Sequence, residues 1–368
     1  MSAQRIIWGL DHLGTVLDQL GGQRVLLVAD ASFPHLSVKE RILEAVRPQG
    51  CFTGFHSNPD YTDICRGIEC FTAGGFDALV AVGGGSAMDV AKCIKLAVKA
   101  PQGASCLIPP LVWEQVPVAD APAVPLLAIP TTAGTGAEST GNAVHYYEGV
   151  KQTVTHPCIR PDAAFLEPSV LDTLPLYQKK CTMMDALCQG IESWWSVAAT
   201  PESRSYSRAA VEGIMCWWRA YIFDNEPSAS REIMLAANFG GRAIHIAHTT
   251  SAHAMSYKLG SLFDLPHGHA VAVCLPEIWD YMIAVGSPGL QAVFGDIAAA
   301  MGALDASHAV VVFREMMSSL ALERPAGGAN RQEQLEELAR QVNPTRMRNN
   351  PVILDSDTCK LLYDKILR

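Results

Sequence analysis

The chain has 368 residues, 49% of them hydrophobic and 18% charged, with a formal net charge of −9. That length supplies two ordinary domains, and an acidic balance without any long Lys/Arg run argues against nucleic acid as the main partner. No apolar run reaches the roughly 20 residues of a membrane helix, and the opening Met-Ser-Ala-Gln-Arg leads into no secretory core before Asp11-His12, so no membrane association and a cytoplasmic location are expected.

The first half alternates strand-like and helical stretches. Arg24-Val-Leu-Leu-Val-Ala-Asp30, Asp77-Ala-Leu-Val-Ala-Val82 and Pro125-Leu-Leu-Ala-Ile129 are short continuous apolar runs, the pattern of strands buried on both faces. Helix candidates span 38–46, 61–73 and 86–99, which gives a βαβ rhythm and a parallel sheet. Several prolines between Pro101 and Pro125 predict an irregular connection. Asn142-Ala-Val-His-Tyr-Tyr and Val150-Lys-Gln-Thr-Val-Thr-His156 flank Glu148-Gly149, a hairpin laid beside the main sheet. After Leu171-Asp-Thr-Leu-Pro175 the strand signals fade and the chain reads as helix broken by Gly and Pro, so the expected domains are 1–175, α/β, and 176–368, all-helical. Trp194, Trp195, Trp217 and Trp218 are expected to pack the helical core. Eleven cysteines without a C-x-x-C pair read as reduced, mostly buried thiols.

Gly83-Gly-Gly-Ser-Ala-Met-Asp-Val-Ala-Lys92 follows a predicted strand and opens a predicted helix. Residues without side chains there let a phosphate approach the free amides of the helix start, as a dinucleotide pyrophosphate requires; a bare glycine turn is the alternative. Pro130-Thr-Thr-Ala-Gly-Thr-Gly-Ala-Glu138 also follows a buried strand, and its hydroxyls and glycines suit ribose, phosphate or a carboxamide. Asp30 ends another strand, where a carboxylate accepts from a ribose 2′-hydroxyl and repels a 2′-phosphate; this favours NAD(H) over NADP(H), against the alternative of a turn-capping Asp. In the helical half, Asp185 and Gln189 lie four residues apart on one helical face, with His253 and His267 downstream. One carboxylate and two neutral imidazoles can hold a divalent cation, whereas lone histidines on apolar helices also serve as core or cap residues.

Taken together, Gly83-Gly-Gly-Ser-x-x-Asp89-x-x-Lys92, Ile129 to Glu138, and the block from His253 to Pro266-His267-Gly268 resemble the iron-containing (group III) alcohol dehydrogenase family, in order and along essentially the whole chain. The resemblance implies a dehydroquinate synthase-like architecture: an N-terminal dinucleotide-binding α/β domain with a parallel sheet and a helical C-terminal domain. It also implies NAD(P)-linked interconversion of a small alcohol and aldehyde. By position, Gly83, Gly84, Gly85, Ser86, Asp89, Thr131, Thr132 and Lys151 would face the cofactor, with Asn58 and Asp30 near its adenosine end. Asp185, His253 and His267 would hold Fe2+ or Zn2+, and a homodimer is an expected assembly.

Two departures from the family stand out. Gln189 occupies a position where a fourth ligand, usually histidine, is found; an amide oxygen is a weaker and harder donor, so metal affinity should fall. Tyr257 stands where relatives commonly carry a histidine near the nicotinamide, and a phenol cannot shuttle protons as imidazole does at neutral pH, although it can donate a hydrogen bond. Tyr257 and His267 are therefore the expected catalytic pair. Asp185 to Gln189, Ile191 to Ser196 and Val342 to Pro351 look most like a branch acting on a phosphonate-bearing aldehyde. A phosphonate dianion needs fixed cations. Arg242, His245 and His253 are spaced to lie near one helical face, and Arg346, with Asn142, completes the substrate candidates; surface ion pairs are the alternative for the two arginines. A generic short-chain alcohol dehydrogenase and a metal-free nucleotide-binding regulator are the competing functions.

Overall fold

Three adjacent parallel strands set the geometry of the N-terminal half. The computed structural model describes residues 4–98 and 124–368. In chain order the first unit contains β1 (Arg5–Trp8), α1 (Leu13–Gln19), β2 (Val25–Ala29), α2 (Lys39–Val46), β3 (Gly50–Phe52), α3 (Tyr61–Gly74), β4 (Ala78–Gly83), α4 (Gly85–Ala97), β5 (Leu126–Pro130), β6 (Asn142–Tyr147), β7 (Val150–Thr155) and β8 (Ala163–Leu166). Among the described residues the main sheet has the order β1-β8-β5-β4-β2-β3, with every pairing parallel. The fully buried runs Val25–Ala29, Ala78–Gly83 and Leu126–Pro130 are its central strands, covered by α3 and α4 through Ile64, Ile68, Met88 and Ile94. The predicted connection from Pro101 to Pro125 and the end of the helix predicted to Lys99 fall on residues 99–123, outside the described residues.

The predicted hairpin forms, but as a sheet of its own. Among the described residues β6 and β7 form a two-stranded ladder, Tyr147 facing Val150, with Tyr146 also bridging Asp60, and both turn residues take positive φ, Glu148 at 51° and Gly149 at 75°. β6 packs on α4, where the fully buried Lys92 donates from Nζ to Thr140 Oγ1 (2.9 Å) and to the Asn142 carbonyl (2.8 Å).

The second unit comprises Pro175–Arg368 together with Ala133–Thr135, and the first the remaining residues to Leu174. Its helices are α5 (Leu176–Trp195), α6 (Pro201–Arg219), α7 (Pro227–Ala247), α8 (Ser251–Phe263), α9 (His267–Val285), α10 (Pro288–Ala300), α11 (Ala306–Ser319), α12 (Arg331–Arg340), α13 (Pro344–Met347) and α14 (Ser356–Ile366). α5 is buried along most of its length and packs against α6, α7 and α9. Trp194, Trp195 and Trp218 are buried as expected, whereas Trp217 is half-buried. Five of the ten described cysteines are buried, while Cys51 and Cys216 are exposed, so the expectation of mostly buried thiols holds for only half of them. No helix among the described residues is long and apolar enough to cross a membrane.

Candidate active site

The registers Ala29 against Val82 and Gly83 against Pro130 bring three strand ends to one edge of the sheet. Ligands of open α/β sheets bind at the carboxyl ends of the strands. Gly83 has φ of 151°, and a Cβ there would fall 2.3 Å from Asp30 Oδ2 and 2.7 Å from Ala87 Cβ, so only glycine fits this turn. Asp30 holds the turn: Oδ2 accepts from the Gly84 amide at 2.9 Å and Oδ1 from the Ser32 amide at 2.9 Å. The carboxylate thus fills the turn-capping role that was the alternative to ribose recognition. Gly84 caps α4 without any side-chain cap, leaving the next amides of the helix start for an anion. Thr131 donates from its amide to the Gly83 carbonyl (3.0 Å), the Thr132 side chain lies alongside Gly84, and the Asn58 amide donates to Ser86 Oγ (3.1 Å) with Asn58 at a φ of 58°. Asn58, Thr131 and Thr132 therefore lie around one glycine-rich turn, whereas Asp89 falls further along α4 and Lys151 on β7. Further along α4, burial pushes the Asp89 carboxyl up, against the charges of Lys92 and Lys151 and the Val144 amide.

In the helical unit a second cluster forms. Asp185, His253 and His267 present donor atoms that all lie within 4.8 Å of one another, with Asp185 Oδ1 3.3 Å from His253 Nε2 and 3.7 Å from His267 Nε2. Three helices supply them: Asp185 from mid-α5, His253 from the first turn of α8 and His267 from the first residue of α9. Asp185 and His253 are buried and His267 is exposed, which leaves one open side. Gln189, one turn beyond Asp185, donates from Nε2 to Asp185 Oδ2 and to the Thr135 carbonyl, both at 3.3 Å. Its Oε1 is buried and unpartnered. An orphaned oxygen of that kind costs about 1–3 kcal/mol; as placed, the amide nitrogen faces Asp185 and Oε1 lies toward Gly240, so the donor set is one carboxylate and two imidazoles, which Gln189 joins only with its amide turned over. The residues fit a divalent ion.

A carboxylate that the sequence reading assigned no role underlies this cluster. Glu192, fully buried one further turn along α5, pairs through Oε2 with His253 Nδ1, while Oε1 accepts from the amides of Thr250 (3.1 Å) and Ala252 (2.9 Å) and from Thr250 Oγ1 (2.7 Å). It therefore caps α8 and fixes the His253 ring with Nε2 toward Asp185, the outer-shell arrangement of metal-binding histidines. Burial alone would push the His253 pKa down, but the neighbouring Glu192 and Asp185 carboxylates outweigh it and raise it, so positive charge is favoured between these two carboxylates. Glu192→Gln keeps the size and removes the charge. It is expected to weaken divalent-metal binding roughly 10- to 100-fold, read by competition with a chromophoric chelator; unchanged affinity would show that packing alone sets the ring.

Tyr257 lies parallel to His267, with ring centres 5.8 Å apart and planes at 17°. Arg346 donates to Thr249 Oγ1 (2.8 Å) and lies over the Tyr257 ring at 5.8 Å. Arg242 is placed differently from expectation: it stacks on Tyr206 at 4.2 Å and donates to its hydroxyl at 2.7 Å, and neither arginine makes an ion pair among the described residues. Nor do Arg242 and His245 share a helical face with His253. α7 ends at Ala247, His248 takes φ of 57°, and α8 begins afresh at Ser251. Asn142 sits at the start of β6, with its carbonyl on Lys92.

The chain thus presents a glycine-rich sheet edge suited to a phosphate and a cluster of one carboxylate and two imidazoles that fits a divalent ion. The chain belongs to the iron-containing alcohol dehydrogenase family, whose model "Iron-containing alcohol dehydrogenase" matches residues 4–168 and whose model "Fe-containing alcohol dehydrogenase family, C-terminal" matches residues 180–367. It is an NAD(P)-dependent enzyme of the alcohol dehydrogenase and aldehyde reductase class. A phosphonoacetaldehyde reductase of Streptomyces viridochromogenes is 34% identical over 83% of this chain and 82% of its own length, which places the likeness in that branch. An iron-containing alcohol dehydrogenase structure from Thermococcus thioreducens matches 99% of this chain and 98% of its own with a TM-score of 0.89 at 27% identity. A sulfoacetaldehyde reductase from Bifidobacterium kashiwanohense, solved in complex with NAD+, shares the fold with a TM-score of 0.85 at 23% identity, over 100% and 97% of the two chains.

Proposed function

We propose that the enzyme reduces phosphonoacetaldehyde to 2-hydroxyethylphosphonate, with NADH as the hydride donor. The observation that carries the chemistry is the convergence of Asp185, His253 and His267, with the Gln189 amide on Asp185; the 34% identity to a phosphonoacetaldehyde reductase supports the substrate. When bound, a divalent ion, Fe2+ or Zn2+, supplies Lewis acidity toward a carbonyl and the alkoxide charge that develops, and the dihydronicotinamide supplies the hydride.

The chain's own residues do the rest. Asp185, His253 and His267 serve as the ligands, Glu192 keeps His253 in the tautomer that presents Nε2, and the Gln189 amide nitrogen fixes the second oxygen of Asp185. Gly85 and Ser86 offer backbone amides to the pyrophosphate, Gly83 and Gly84 keep the turn free of side chains, and Asn58, Thr131 and Thr132 lie around it. Asp30 anchors the turn, and its carboxylate at this strand end disfavours a 2′-phosphate through charge, the basis for preferring NADH to NADPH. Tyr257, stacked on His267, brings a phenol that can donate a hydrogen bond. In the net reaction the carbonyl carbon receives the hydride, its oxygen takes a proton from water, and NADH becomes NAD+.

A substrate panel tests the specificity. With NADH saturating, kcat/KM for phosphonoacetaldehyde is expected to exceed that for propanal by about 100-fold or more, the scale of one charge-assisted contact to the anionic tail. Equal values would leave a generic short-chain aldehyde reductase.

A further inference from the structure

Arg346 is a half-buried cation with no counter-charge. Several arginines of the helical unit are neutralised, Arg314 by Glu277 and Asp280, Arg331 by Asp364 and Arg368 by Glu323, whereas by the described residues Arg242 and Arg346 are not. Arg346 has no carboxylate within ion-pair distance among the described residues, yet its position is well determined. Asn343 Oδ1 accepts from its amide, Thr249 Oγ1 accepts from Nη1, and the guanidinium lies over Tyr257, which itself stacks on the ligand His267. The charge therefore stands one aromatic layer from a metal-ligating imidazole. Its field reaches the residue before Thr249 as well: burial and then Arg346 lower the pKa of His248 and favour a neutral imidazole beside it.

A guanidinium that is partly desolvated and unpaired gains most from an anion arriving from solution, and its planar fork suits a tetrahedral oxyanion. A single Thr hydroxyl and a π-face leave most of its five N–H donors for such a ligand. Resting on the aldehyde reductase reading above, we propose that Arg346, held by Thr249 and Tyr257, is the specificity residue that binds the oxyanion tail of the aldehyde substrate, a phosphonate.

The test uses the metal-loaded enzyme and its Arg346→Gln and Arg346→Lys variants. Two quantities are read: the ratio of kcat/KM for phosphonoacetaldehyde to that for propanal, and the competitive inhibition constant of ethylphosphonate against propanal. Arg346→Gln is expected to lower the ratio about 100-fold and to raise the inhibition constant by about 30-fold or more, with partial recovery in Arg346→Lys, which keeps the charge without the fork. Ethanesulfonate run in parallel should inhibit the wild type more weakly than the dianion. An unchanged ethylphosphonate constant in Arg346→Gln overturns the proposal, as does a rise confined to the KM for NADH, which would assign the guanidinium to the cofactor. If the wild type does not prefer phosphonoacetaldehyde but ethylphosphonate still inhibits in an Arg346-dependent manner, the oxyanion site stands and the proposed substrate fails.

Discussion

Replacing His267 with alanine is expected to reduce turnover by about a thousandfold or more while leaving NADH binding unchanged. His267 contributes one of the three clustered donors and is the exposed one, on the open side of the cluster. With the proposed ion bound, losing His267 removes a ligand from a group that would supply several kcal/mol of charge stabilisation, and each 1.36 kcal/mol is a tenfold change in rate. The proposed cofactor residues lie on different elements, Gly83 to Ser86 at the start of α4 and Asp30 after β2, so the NADH dissociation constant measured by fluorescence titration should stay within about twofold. Elemental analysis of the same preparation should show metal content falling with the rate. Normal turnover with the ion retained would remove His267 from the ligand set.

Gly268→Ala is expected to damage the same site without touching a ligand. A Cβ on Gly268 would lie 1.9 Å from the Cys181 carbonyl oxygen, 2.8 Å from its carbon and 3.0 Å from Asp185 Cβ. Two of those atoms are backbone of α5 and cannot swing aside, so α9 must move away and carry His267 from Asp185. Overpacking of this kind costs about 3 kcal/mol, and the displaced ligand should weaken metal binding by at least about tenfold. Gly295→Ala is the matched control: its Cβ would meet nothing within 4 Å in the middle of α10, so denaturant midpoints should be unchanged or slightly higher. If Gly268→Ala bound the ion as tightly as wild type, the close approach of α9 to α5 would not be what positions His267.

The central strands were readable because Val25–Ala29, Ala78–Gly83 and Leu126–Pro130 are apolar on both faces and need no partner to declare themselves. β1, β3 and β8 were not. They have three or four residues each, and Ala163-Ala-Phe-Leu166 becomes a strand only because it lies between β1 and β5. In the site, Asp185 and Gln189 followed from helical spacing, and Glu192 continues the same face at seven residues, a signal that was present. Its partner His253 is 61 residues away in the chain, so no local pattern assigns it the task of capping α8 and orienting an imidazole. The opposite error occurred with Arg242 and His245, where a continuous helical face was inferred across His248. A non-glycine residue with positive φ breaks that face, and residue type alone gives no warning of it.

The most direct measurement is the turnover of protein stripped by chelation and verified as metal-free by elemental analysis, before and after readdition of Fe2+ or Zn2+. The stripped protein should still bind NADH but turn over no aldehyde, and activity should return in proportion to occupancy up to one divalent ion per chain. Full turnover by the verified metal-free protein would contradict the role assigned to Asp185, His253 and His267.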